Sequence, residues 1–262
     1  MCLIALAWRA HPRYELALIA NRDELHGRPA APAGVDPVHA DVYGGRDLLQ
    51  GGSWLQVSSR GRLAAVTNVR AGLSAEVAPR SRGALVHDFA SGGASGEDFT
   101  AALAPSATEY GRFNLLLWDG ASLRFASNHP RFATYEVAPG VHAMSNGAFD
   151  APWPKSGHAT RALSALLASS GLDVERAITV PALEPLFEAL ADTTPAPDGT
   201  LPDTGVGLDF ERALSPPFVR GERYGTRCSS VVLVAEEAIT FVERRFGPDA
   251  VPQGESAAVL PR

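Results

Sequence analysis

Two runs near the start of the chain, Cys2–Trp8 (CLIALAW) and Leu16–Glu24 (LALIANRDE), decide the reading of the fold. The first is apolar throughout. The second is apolar over Leu16–Ala20 and then turns polar at Asn21-Arg22-Asp23-Glu24. Between them lies His11-Pro12, where proline fits a turn and blocks continuation of a strand, so the pair is expected to form an antiparallel hairpin. If the turn is centred there, facing residues have indices summing to about 23 or 24, which sets Cys2 opposite Asn21 and Arg22.

The same signal recurs along the chain. Trp54–Ser58 and Leu63–Asn68 flank Ser59-Arg60-Gly61, Phe113–Trp118 and Ser122–Ala126 flank Asp119-Gly120, and Ser230–Ala235 and Ile239–Glu243 flank Glu236-Glu237. Repeated hairpins imply antiparallel sheets. Helices are expected between them, over Ala84–Ala90, over Glu97–Leu103 behind the Ser95/Asp98 cap, over His158–Ser169 with Gly171 as its stop, and over Val180–Leu190. Thr193–Gly207 is rich in Pro, Gly, Asp and Thr and reads as a loop, of a length that is often functional. Sheets that cover each other need helices on their outer faces. The expected fold is therefore α+β, a four-layer αββα sandwich of antiparallel sheets, with a single sheet covered on one side as the competing arrangement. No repeat or composition shift divides the chain, so 1–262 is read as one domain.

Composition narrows the function. The chain has 262 residues, 45% of them hydrophobic, with 23 basic against 29 acidic side chains and a net charge of −6. The basic residues are scattered, which argues against nucleic acid as a partner. Only Lys155 is a lysine, which leaves almost no candidate for Schiff-base chemistry. Two cysteines, Cys2 and Cys228, cannot supply a disulfide scaffold, a four-thiolate zinc site or an iron–sulfur cluster unaided, and no metal site is expected. No apolar run reaches the length of a membrane helix, and the first run lacks a basic segment before it, so no membrane span or secretory signal is expected and a cytoplasmic location is.

Cys2 carries the chemistry. Removal of the initiator methionine acts where the second residue is small, as cysteine is, so the mature chain is expected to begin at Cys2 with a free α-amine. Such an amine titrates near ~7.7–8.0 and a thiol near ~8.5, so one residue can be nucleophile and general base together. A buried structural cysteine is the competing reading. In the expected hairpin register, Arg22 would lower the thiol pKa and a neighbouring carboxylate, Asp23 or Glu24, would hold the amine. A charged strand end with surface ion pairs competes here. Asn68 and Asn146 each end a short strand, where amide N–H groups can stabilise a tetrahedral oxyanion, although asparagine there is also a common turn residue. Arg227, in Tyr224-Gly225-Thr226-Arg227, is placed to hold a ligand carboxylate or phosphate.

These residues also carry a family resemblance. The opening MCLI, ANRDE at 20–24 followed by Arg28-Pro29, GGSWL at 51–55, AAVTNVR at 64–70, Arg82-Gly83, FNLL at 113–116, MSN at 144–146, PWPK at 152–155, LPDTGV at 201–206 and YGTR at 224–227 occur in order over nearly the whole chain. Together they resemble the NRDE family, also called the transport and Golgi organization protein 2 family. The sequence departs from the family pattern at Ser53 and Gln56, usually Thr and Gly, and at Cys228, usually Ser or Thr.

That family is similar to N-terminal nucleophile hydrolases of the choloylglycine hydrolase and penicillin V acylase type, which implies the αββα fold. By position in the motifs, the resemblance gives Cys2, Arg22, Asp23, Asn68 and Asn146 catalytic roles and sets Asn21, Glu24 and Arg227 at the ligand. Arg22 and Asp23 are adjacent here, so both can reach one site only where the strand ends or bulges. The expectation is an N-terminal-cysteine hydrolase acting on a small-molecule amide or thioester, with no cofactor required. The alternative is a non-catalytic carrier or chaperone for haem or acyl-CoA and other lipids on the same fold. The sequence has no Cys-x-x-Cys-His for haem, and its histidines are scattered.

Overall fold

The structure is a computed structural model that describes residues 2–73, 78–169 and 179–262. The opening hairpin forms as β1 (Cys2–Trp8) and β2 (Leu16–Leu25), with Cys2 opposite Arg22 and Ile4 opposite Ala20. The register sum is 24, within the expected range. On the other side of β2 lies β11 (Tyr224–Val234), which sets Cys228 opposite the same Arg22 and shifts register between Thr226 and Cys228. With β10 (Gly140–Met144), β12 (Ala238–Phe246) and β13 (Pro252–Pro261), these strands make a six-stranded sheet in the order β10-β1-β2-β11-β12-β13.

The second sheet has seven strands in chain order: β3 (Ala30–Val35), β4 (Val42–Asp47), β5 (Leu55–Ser58), β6 (Arg62–Asn68), β7 (Phe113–Trp118), β8 (Leu123–Ser127) and β9 (Ala133–Glu136). Every strand pairing in both sheets is antiparallel.

Alternation along β1 shows how the layers are held. Ile4 and Leu6 join Leu18, Leu55, Leu63 and Leu116 in a core between the sheets. Leu3 and Ala5 face the other way and pack with Ile19 against Leu163 of α3 (Pro154–Leu167) and Phe187 of α4 (Glu184–Leu190). The outer face of the second sheet is covered likewise: Val66 and Leu115 pack on Phe89 of α1 (Arg82–Ser91) and Leu103 of α2 (Gly96–Leu103). Because both faces of β1 and β2 are covered, their apolar residues run without polar interruption. Full burial of each Leu or Ile contributes roughly 1.5–3 kcal/mol. The layers are thus αββα, as the hairpin reading expects.

Several details differ from the sequence reading. Helix α3 starts at Pro154, which suits the first helical position; Gly171, read as its stop, lies outside the described residues. The helix expected over Val180–Leu190 is a 3₁₀ turn over Val180–Leu183 followed by α4, which restarts ahead of Pro185. Beyond the loop at 193–207, α5 (Leu208–Ala213) and the strands β3, β4, β9 and β13 were not expected. Pro32, Gly34, Gly44 and Gly45 hide β3 and β4, β9 is an exposed edge strand without an apolar run, and β13 is an edge strand whose only apolar run is the short AAVL at 257–260.

Candidate active site

The site lies where β1 ends. Cys2 and Arg22 share the face between the sheets, while Asn21 and Asp23 point toward the helix layer. The Arg22 guanidinium is stacked over the Trp54 ring, 4.2 Å from its centroid, and stands 3.9 Å from Glu24 Oε2. Trp54 fits because position 45 is glycine: a Cβ there would come within 2.1 Å of the indole. Asp23 is buried, and its Oδ1 accepts from Thr226 Oγ1 at 2.6 Å. Its own backbone N–H faces the Cys2 thiol. Adjacent residues thus flank one thiol from two sides, since β1 stops at Cys2 and β11 is irregular between Thr226 and Cys228.

The asparagines come from the two sheets and meet. Asn146 Nδ2 donates to Asn68 O at 2.9 Å and to Asn68 Oδ1 at 3.0 Å. That contact turns the planar Asn68 amide so that its Nδ2 faces the other way. The turn after β10 is tied down by Thr67 Oγ1, which donates to Ser145 O at 2.6 Å, and Ser145 Oγ donates to Cys2 O at 2.9 Å. Cys2, Arg22, Asp23, Trp54 and Asn68 line one cavity of about 240 Å³, with Glu24 and Arg28 at its margin. Arg28 is fixed there by Asp47, its Nε donating to Oδ2 at 2.9 Å.

Two residues read as ligand contacts are placed elsewhere. Asn21 uses its amide on the helix side, donating to Leu190 O at 2.8 Å and Pro217 O at 2.9 Å while Ser229 Oγ donates to its Oδ1. Arg227 lies across Arg22 from Cys2, and its Nη1 donates to Leu25 O and Arg28 O, each at 2.9 Å. Neither side chain is among those lining the 240 Å³ cavity.

Burial governs the electrostatics. It pushes the Cys2 thiol above the ordinary thiol range, and the nearby Asp23 carboxylate adds to the rise; Arg22 and the Asp23 backbone N–H pull it down. The expected lowering by Arg22 is therefore present but outweighed by desolvation. Burial also raises Asp23, opposed by the positive charge of Lys155 and the hydrogen bond from Thr226.

Lys155 is a neighbour of the site that the sequence reading did not place. The chain's single lysine is buried at the N-terminal end of α3, its Nζ donating to Leu214 O at 3.1 Å, and Asp23 and Cys2 are among the charges that act on it. Burial lowers its pKa. Its signal in the sequence was its place: a cation just after the proline that starts a helix opposes the helix dipole. Trp54, Ser145 and Thr226 were also missed, since no charge or spacing marks them. Nearby, Arg70 at the end of AAVTNVR pairs with Glu211 of α5 and donates through Nε to Thr204 Oγ1 at 2.7 Å, which clamps LPDTGV beside the site. Among the described residues, no group of three or more His, Cys, Asp and Glu side chains is placed to hold a metal, and no helix is long and apolar enough to cross a membrane.

Layer order and strand pairing define the N-terminal nucleophile hydrolase class of fold. A solved Caenorhabditis elegans N-acylethanolamine-hydrolyzing acid amidase ortholog matches it with a TM-score of 0.50, covering 88% of this chain and 92% of that one; at 11% identity the likeness is one of fold. The family model described as Transport and Golgi organisation 2 matches residues 1–248, and the chain belongs to that family. It is 30% identical over 265 residues to the Bos taurus Transport and Golgi organization protein 2 homolog, covering 93% of this chain and 92% of the relative. The Homo sapiens homolog is 28% identical with the same coverage.

Proposed function

We propose that this protein is an N-terminal-cysteine hydrolase that cleaves a non-peptide amide or thioester of a small acyl compound, with Cys2 as nucleophile. The observation that carries the reading is the convergence of Arg22, Asp23 and Asn68, contributed by both sheets, on the cavity at the strand-end thiol, with Asn146 hydrogen-bonded to Asn68.

In this mechanism, Met1 is removed and the Cys2 α-amine takes the thiol proton, directly or through one water. Burial disfavours the charged thiolate, and proton transfer to the amine is the step that would form it. The thiolate attacks the carbonyl carbon and forms the C–S bond. Asn68 Nδ2 and backbone N–H groups hold the developing oxyanion. The amine or thiol leaving group departs with the proton carried by the α-ammonium. Water then attacks the thioester, the amine accepts its proton, and the acid is released as the thiol is restored. Arg22 and Asp23 orient the thiol and amine, as acids and bases of the N-terminal residue require.

Intact mass spectrometry tests the reading in one experiment. The expected result is a chain lacking Met1 that gains one acyl mass from an amide or thioester panel, with no gain in Cys2→Ala. A mature chain that retains Met1, or equal acylation of Cys2→Ala, would sink it. Tight ligand binding that survives Cys2→Ala without turnover would instead establish the carrier.

A further inference from the structure

On the far side of Arg22 from Cys2 is a second cavity, of about 290 Å³, between the edge strand β3 and strands β11 to β13. Its wall holds three guanidinium groups, Arg22, Arg227 and Arg245, together with Trp54 and a single carboxylate, Glu243. Few of their donors are used. Arg22 makes no hydrogen bond among the described residues, and its nearest carboxylate oxygen is 3.9 Å away. Arg227 uses only Nη1, on two backbone carbonyls. Arg245 donates through Nη1 to Ser256 Oγ at 2.7 Å and stands 3.8 Å from Glu243 Oε1.

Glu243 does not neutralise this wall. Its Oε1 accepts from Ala33 N at 2.9 Å and so ties β3 to β12, whereas Oε2 is buried without a well-formed hydrogen bond and the Cys228 thiol is the one side-chain donor acting on the carboxylate among the described residues. Burial favours its neutral form, while Arg22 and Arg227 repel one another and burial lowers Arg227. Three guanidinium forks turned on one small cavity, with one poorly placed acid, make an excess of positive charge and of N–H donors. Planar guanidinium donors match a carboxylate or phosphate two oxygens at a time.

We propose that this cavity binds a small organic oxyanion, a carboxylate or phosphate held by Arg22, Arg227 and Arg245, whose adjacent N–H or O–H donates to Glu243 Oε2. Arg22 and Trp54 belong to both cavities, so they form the wall that the two share. The pocket stands apart from the chemistry proposed for Cys2, which does not line it.

Calorimetric titration with N-acetylglycine, inorganic phosphate and the neutral N-acetylglycinamide tests the proposal. N-acetylglycine or phosphate is expected to bind and the amide not. Arg245→Met should weaken the anion at least about tenfold, as loss of a charged hydrogen bond does, while Cys2→Ala should leave it unchanged. Binding of N-acetylglycine alone would mark the anionic end of an acyl compound as the occupant, and binding of phosphate alone a free or esterified phosphate. Equal affinity for the amide, no effect of Arg245→Met, or loss of binding in Cys2→Ala would overturn it. If Arg245→Met does not fold, Ala31→Asp on the cavity wall places a repelling charge there and should weaken binding by a similar factor. Because Cys2→Ala retains the anion, failure of the hydrolase reading and failure of this one give different results.

Discussion

Two thiols stand on either side of Arg22 in the same sheet, Cys2 across from it on β1 and Cys228 across from it on β11. At the strand spacing of a sheet they are about 10 Å apart, beyond the ~7 Å reach of a disulfide. Burial raises both pKa values, and Cys228 is raised well above the ordinary range, with the Glu243 carboxylate adding to it. Cys228 is in mid-strand and 3% exposed. Each thiol borders a cavity, but Cys2 is at a strand end, keeps partial exposure and has the Asp23 N–H and Asn68 beside it. Sharing one arginine does not make two thiols alike. What separates them is the end of a strand, which supplies access and neighbours on both faces.

The largest expected effect comes from removing the strand-end thiol. Cys2→Ala should lower turnover by at least about a thousandfold, as loss of a nucleophile does, whereas iodoacetamide labelling of wild type followed by peptide mapping should find Cys2 modified and Cys228 not. Labelling of Cys228 at a comparable rate would break the contrast. Asn68→Ala should cost about 10²–10³ in kcat with a smaller change in KM, the range for one oxyanion donor; an effect confined to KM would move Asn68 out of that role.

A third test concerns the Cys228 side. Because burial raises Glu243, its unfolded carboxyl loses its proton first as pH rises past about 4. The folded state then binds more protons, and stability falls until pH passes the folded pKa. Glu243→Gln removes this loss, so its Tm relative to wild type should climb as pH rises from about 4 and level off once pH has passed the folded pKa; a Tm difference independent of pH would refute the raised carboxyl. The smallest effect is Cys228→Ser, which should alter unfolding free energy by about 1 kcal/mol or less and leave Cys2 labelling unchanged.

What the sequence made legible follows from range. The β1–β2 hairpin was readable with its register because one turn and one polar boundary fix it locally, and this brought Cys2 to Arg22. The Asn68–Asn146 contact and the β2–β11 pairing join residues far apart in the chain, and no local signal announces them. Asn68 and Asn146 were found by their strand ends and by resemblance, yet their mutual hydrogen bond was not. Asn21 was read as a ligand contact from its place in NRDE, and strand parity turns its amide to Leu190 and Pro217, pairings the sequence does not announce. Lys155 was read only as leaving almost no candidate for Schiff-base chemistry, and its place near Asp23 comes from packing that no local signal announces. The edge strand β9 escaped because exposure removes the apolar pattern that marks a strand.

The pairing of β2 with β11 also orders events in time. β1 and β2 can zip as soon as residue 25 is made, but the free edge of β2 has no partner until Tyr224–Val234 has been synthesised. Through most of translation the strand that carries Arg22 and Asp23 is an open edge, the kind of surface that invites pairing with other chains. Non-local closure of this sort is slow. Chains cut short before β11 are therefore the ones expected to aggregate, and the surroundings of the thiol are complete only when roughly the last seventh of the protein arrives.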